Sequence, residues 1–182
     1  MVSQKLNVSP LMMDLSKYIA GVAKRRVPAD GVEKTKHHVL DTVAAMISGS
    51  RLKPGEMAIK FARSQGGKRE ATVIGTKLVT SAINASLANG MLAHADETDD
   101  SHQRGRLHPG CATIPAALAV AERQGKDGAA FLKAVTAGYD LGVRVNLARG
   151  PMVLNDEGHS GHSSGSLFGA TAAVGTLMDF KP

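Results

Sequence analysis

Ser166-Leu-Phe-Gly-Ala-Thr-Ala-Ala-Val-Gly-Thr-Leu-Met178 is the stretch that decides the fold. Its residues are small and apolar on nearly every side of a helical wheel, which predicts a helix sitting deep among other helices. The segments before it supply neighbours. Phe131 to Ala148 sets Leu132, Val135, Tyr139 and Val143 at helical spacing, and an alanine-rich helix runs from Pro109 to Gln124, ended by Gly125. Pro115 lies near the first turn of that helix, or kinks it.

Further toward the N-terminus, Ser81 caps a helix carrying Ile83, Leu87 and Met91 on one face. A shorter helix follows Pro54, with Met57 and Phe61 inward, and stops at Gly66-Gly67. Pro28 opens a helix whose expected buried stripe is Val32, the Lys36 stem, Val39, Leu40, Val43 and Ile47, closed by Gly49. Ser9-Pro10 begins another, with Leu15, Tyr18, Ile19 and Val22 at helical spacing. The one strand signal is short, Glu70 to Thr76. The expectation is an all-α fold of about seven helices with one short strand or hairpin, residues 1–182 forming a single helical domain. A helix apolar all round needs neighbours all round, so a missing C-terminal part, a second chain or a homodimer mate is expected to cover the last one.

Composition agrees. There is no Trp, two Tyr and four Phe, so the core must be built from Ala, Val, Leu, Ile and Met, which favours close-packed helices over a β-sandwich. The single cysteine, Cys111, excludes an internal disulfide and fits a reducing compartment. Met1 to Ser9 lacks the apolar core of a signal peptide and no run reaches membrane-spanning length, so the default is a cytoplasmic protein with no membrane partner. Residues 1–70 carry 13 Lys/Arg against 6 Asp/Glu, and residues 71–182 carry 9 against 10. The bases are scattered along helix faces without interleaved aromatics, which argues for a solvated surface and against nucleic acid. The positive field would still favour small anionic substrates.

Five of the seven histidines fall between His94 and His162. The loop His94-Ala-Asp96-Glu97-Thr98-Asp99-Asp100-Ser101-His102, followed by His108-Pro109-Gly110, crowds carboxylates beside imidazoles. Crowded carboxylates repel, which raises some pKa values and prepares them for proton transfer near neutrality. On the residues alone three readings stay open: a solvated acidic loop, a metal site, and a proton-transfer site. His94, Asp96, Asp99, Asp100, His102 and His108 are all competent ligands, but their spacings match no standard metal motif. A second cluster, Gly158-His159-Ser160-Gly161-His162-Ser163-Ser164-Gly165-Ser166, precedes a helix expected to start near Ser164 to Ser166, where free N–H groups suit a carboxylate or phosphate. It lacks the lysine of a P-loop. Cys111 and the pair His37-His38 read as packing residues, while Arg104 and Arg106 are plausible carboxylate clamps and Arg144 and Arg149 weaker ones.

The run from Asn89-Gly90 through Ala93-His94-Ala95-Asp96 to Ser101-His102, then His108-Pro109-Gly110, resembles the MmgE/PrpD family, which includes 2-methylcitrate dehydratase, cis-aconitate decarboxylase and iminodisuccinate epimerase. Supporting stretches are Lys36 to Thr42, Glu70 to Gly75, Ile114 to Glu122, Ala137 to Asp140 and Gly161 to Gly165, so the likeness covers nearly the whole chain. The resemblance implies a large helical domain, an additional α+β lid domain, a homodimer, and neither metal nor organic cofactor. It implies that Asp96, Ser101, His108 and His162 line the site. The acidic motif is one residue longer than the family's usual form, so both Asp96 and Glu97 stand where its first acid falls, and Ser101 replaces the usual threonine. Family members are more than twice this long, which implies either a fragment or one subunit of a split enzyme completed by a second chain.

The implied chemistry is making or breaking a C–H bond next to a carboxylate of a small polycarboxylate, as in a dehydratase, decarboxylase or epimerase. In that reading His108 and His162 transfer the proton and stabilise the oxyanion, Asp96 and Asp100 orient them, and Arg104 or Arg106 with the helix end at Ser164 holds a carboxylate. The rival expectation is a non-catalytic subunit or binding module that works only with a partner.

Overall fold

The computed structural model describes residues 8–22, 24–150, 152 and 158–182. Part of the expected loop between Gly150 and Gly165, residues 151 and 153–157, and most of the N-terminal segment, residues 1–7, lie outside the described residues. The elements run α1 (Pro10–Val22), α2 (Ala29–Gly49), α3 (Lys53–Gln65), β1 (Ala71–Thr72), β2 (Val79–Thr80), α4 (Ala82–Ala93), α5 (Gly110–Gln124), α6 (Gly128–Arg149) and α7 (Gly161–Leu177). The fold is mainly helical, as expected, and the strand signal resolves into an antiparallel hairpin pairing Ala71 with Thr80 and Thr72 with Val79. Among the described residues no helix is long and apolar enough to cross a membrane.

The helices pack through their smallest side chains. On α4 the buried residues are Ala82, Ala85, Ala88, Asn89, Leu92 and Ala93, whereas Ile83, Leu87 and Met91, expected inward, are exposed. On α3 the buried face is Gly55, Ala58 and Ala62, with Met57 and Phe61 exposed. On α2 it is Thr35, Thr42, Ala45, Met46 and Gly49, and Leu40 is 70% exposed. The physical reason is closeness of approach. A Cβ on Gly49 would collide with the Leu92 carbonyl, and one on Gly55 with the Gly49 carbonyl, so α2, α3 and α4 meet backbone to backbone. Hydrophobicity picked the wrong stripe because size, not polarity, set the seam.

The same rule governs α5, α6 and α7, and the α6–α7 seam is the most extensive among the described residues. Gly138 and Gly142 of α6 face Gly165 and Gly169 of α7, and an added Cβ on Gly138, Gly142 or Gly169 would meet backbone oxygen at 2.6 to 2.9 Å. Only one side of α7 is therefore buried; Leu167 on the other side is 66% exposed. Polar residues pin the pieces together. Asn89, wholly buried, accepts from the Ile74 N–H and donates to the Thr72 carbonyl, both at 2.9 Å, holding the hairpin against α4. Asp127 caps α6 by accepting from the Ala130 N–H at 2.8 Å.

Candidate active site

Three helix ends converge here. His94 is the C-cap of α4, His108 lies two residues before α5, and His162 sits in the first turn of α7. Helix α7 starts at Gly161, earlier than the Ser164 to Ser166 expected, which brings His162 inside the helix. The rings of His94 and His108 meet edge to face at 4.9 Å, those of His108 and His162 stack at 5.2 Å, and His94 and His162 lie 6.3 Å apart. His162 is held below its ordinary 6.5, first by burial and then by the charge that His108 and His94 can carry.

Beneath the rings lies Asp99, its side chain wholly buried. Its Oδ1 is 3.0 Å from His94 Nδ1 and 3.4 Å from His108 Nδ1. A carboxylate only accepts, so the shorter contact assigns the proton to His94 Nδ1 and leaves Nε2 facing outward with its lone pair. Asp99 Oδ2 and His108 Nδ1 are buried without a hydrogen-bond partner. The sequence offers Asp99 only as one possible ligand among six and points instead to Asp96 and Asp100, because the spacing of an acidic loop does not tell which carboxylate turns inward.

Asp100 turns the other way. Its Oδ2 accepts from His38 Nδ1 at 2.9 Å, and its Oδ1 accepts from the Gly110 N–H at 3.0 Å, the first residue of α5. Pro109, the residue before that helix, offers no side-chain cap, so Asp100 performs the cap from a distance and sets its charge at the positive helix end. The His38 ring lies 4.7 Å from that of Tyr139, whose phenol is pushed far up by burial and then by the Asp100 carboxylate, and stays neutral. His38 is thus an anchor for the loop, a role its helical position did not announce.

The segment between the acidic loop and His108 is a small hairpin: His102 bridges Leu107, and the Gly105 N–H donates to His102 Nδ1 at 2.9 Å. Its tip exposes Arg104 and Arg106, the latter at φ 48. Asn146 of α6, wholly buried, donates to the Gly105 carbonyl at 3.0 Å and to the Gly161 carbonyl at 2.7 Å. One side chain therefore ties the arginine hairpin to the first turn of α7. Asn146 was missed from sequence, although it follows Tyr139 and Val143 at core spacing, where a polar residue needs internal partners.

The remaining candidates lie apart from the rings. Asp96 accepts from the Ser48 hydroxyl at 2.5 Å and the Thr98 hydroxyl at 2.8 Å, and these bonds, Ser48 first, hold its carboxyl below the usual range. Ser101 is exposed. Ser164 accepts from Arg149 Nη1 at 2.9 Å, on the opposite side of α7 from His162. His94, Asp99 and Cys111 are, among the described residues, the group whose ligand atoms could converge on a metal ion.

The chain matches the MmgE/PrpD N-terminal domain over residues 13–182. It is 31% identical over 177 residues to a cis-aconitate decarboxylase-like protein, oryM, of Aspergillus oryzae (strain ATCC 42149 / RIB 40), covering 93% of this chain and 36% of that protein. It is 28% identical over 180 residues to cis-aconitate decarboxylase of Aspergillus terreus, covering 96% of this chain and again 36% of the relative. The chain thus spans 36% of the length of these curated relatives. Helical architecture, the ordered histidine motifs and the match over residues 13–182 agree: this chain belongs to the MmgE/PrpD family, as its N-terminal domain.

Proposed function

We propose that this domain supplies the proton-transfer wall of a lyase- or isomerase-type enzyme acting on a small polycarboxylate. One observation carries the reading: His94, His108 and His162, far apart in sequence, bring their rings within 4.9 to 6.3 Å of one another over a buried carboxylate. The names of the decarboxylase relatives support the substrate class.

His162, unprotonated near neutral pH, accepts a proton from, or returns one to, the carbon next to a carboxylate. His108, stacked on it, donates to the enolate-like oxygen on which charge develops. Asp99 fixes the His94 tautomer and steadies positive charge on the three rings. The first-turn N–H groups of α7, with no side-chain cap at Ser160, and the Arg104 and Arg106 hairpin receive the substrate carboxylates. Asp100 acts one step removed, by holding the start of α5 and so His108. Asp96, through Ser48, anchors the outer loop to α2, and Ser101 lies exposed on that loop for substrate contact. Ser164, held by Arg149, stiffens the helix end. Segments outside this domain complete the site, from the same polypeptide, a second subunit or a dimer mate; the 36% coverage of the relatives supports that need.

The experiment is an assay of the domain alone and joined to the rest of the enzyme, on cis-aconitate, methylcitrate and related acids. Activity of the complete form that survives EDTA and falls in His162→Ala is the expected result. Activity unchanged when both His108 and His162 are replaced would sink the assignment. A domain that binds the remainder and leaves its turnover unaffected would favour a non-catalytic subunit.

A further inference from the structure

A second chemistry is built into the floor of the histidine cluster. Ligand atoms of His94, Asp99 and Cys111 all lie within 4.8 Å of one another. One nitrogen, one carboxylate oxygen and one sulfur is a donor set suited to zinc, with the fourth tetrahedral position left to water. The three come from separate structural units: the end of α4, the acidic loop and the second residue of α5. The carboxylate of this group is itself incompletely paired. Asp99, with its side chain wholly buried, keeps Oδ2 without any hydrogen-bond partner, an arrangement that costs free energy unless something positive approaches.

We propose that His94, Asp99 and Cys111 form a binding site for a thiophilic divalent ion such as zinc. The geometry of these side chains carries this, independently of the proton-transfer reading. On binding, Nδ1 of His94 must present its lone pair, so its proton moves to Nε2. The Cys111 thiol, which now donates to the His108 carbonyl at 3.3 Å, releases its proton to solvent as the metal–sulfur bond forms. No electrons are exchanged. The half-exposed edge of His94 gives the ion its entry.

The test uses cobalt as a spectroscopic stand-in for zinc on the purified chain. One equivalent of cobalt should give a thiolate-to-metal charge-transfer band in the near ultraviolet, and zinc should displace it. Cys111→Ala should abolish the band, and His94→Gln, a change at a half-exposed side chain, should weaken zinc binding by about tenfold or more. His37→Gln, on the exposed side of α2, should leave both unchanged. Circular dichroism checks that each variant is folded. Absence of the band in the parent chain, its persistence in Cys111→Ala, or equal loss in His37→Gln would overturn the proposal. Failure here leaves the proton-transfer reading standing, because that reading is judged by turnover in EDTA.

Discussion

The acidic loop has two halves that share a composition and differ in almost everything else. In the outer half, Asp96 is bonded to Ser48 and Thr98, and Glu97 is exposed at φ 54. In the inner half, Asp99 lies under three imidazoles and Asp100 clasps His38 and the start of α5. Only one residue separates Glu97 from Asp99, yet one carboxylate meets water and the other none. Burial and partner, not the density of negative charge, decide which acid can take part in chemistry.

That contrast can be broken from the inside first. Asp99→Asn keeps the shape but removes the charge that fixes and steadies the imidazoles; turnover of the complete enzyme should fall by about 10²- to 10⁴-fold, with the fold unchanged by circular dichroism. Asp100→Ala should act mainly on stability. It leaves the Gly110 N–H and His38 without their acceptor, and denaturant unfolding should show a loss of about 1–3 kcal/mol.

The outer half should respond weakly. Asp96→Asn is expected to cost less than about 1 kcal/mol by the same unfolding measurement. Because the folded carboxyl is held below its ordinary 3.8, its contribution is present above that value and lost as pH falls through the lower folded value. The substitution should therefore flatten the stability profile only in that acid range. Smallest of all is Glu97→Gly: relief of the left-handed backbone is offset by added chain entropy, so the thermal midpoint should barely move. An Asp96→Asn enzyme whose turnover falls as far as that of Asp99→Asn would erase the distinction between the halves.

Helix positions were largely legible in the sequence, because caps and periodicity are local. Helix faces were not. Ile83, Leu87 and Met91 on α4, and Met57 and Phe61 on α3, satisfy a hydrophobic stripe, yet the buried seams run through Ala85, Ala88, Gly55 and Ala58. Periodicity reports which residues share a side. It does not report how closely two backbones approach, and here that distance selects glycine and alanine. The site shows the same limit. His108 and His162 stand out by their motifs, but the choice of Asp99 over Asp96 depends on which carboxylate the loop turns inward, and the roles of His38 and Asn146 depend on contacts distant in sequence, 41 residues for Asn146 and Gly105.

On the proposed function, His162, backed by His108 and Asp99, moves a proton at the carbon next to a carboxylate. Solvent deuterium incorporation into that carbon by the complete enzyme, followed by NMR in D2O, measures that step directly. The parent enzyme should incorporate deuterium, and His162→Gln should do so about 10²-fold or more slowly, with substrate still bound. Incorporation at the parental rate by His162→Gln would contradict it.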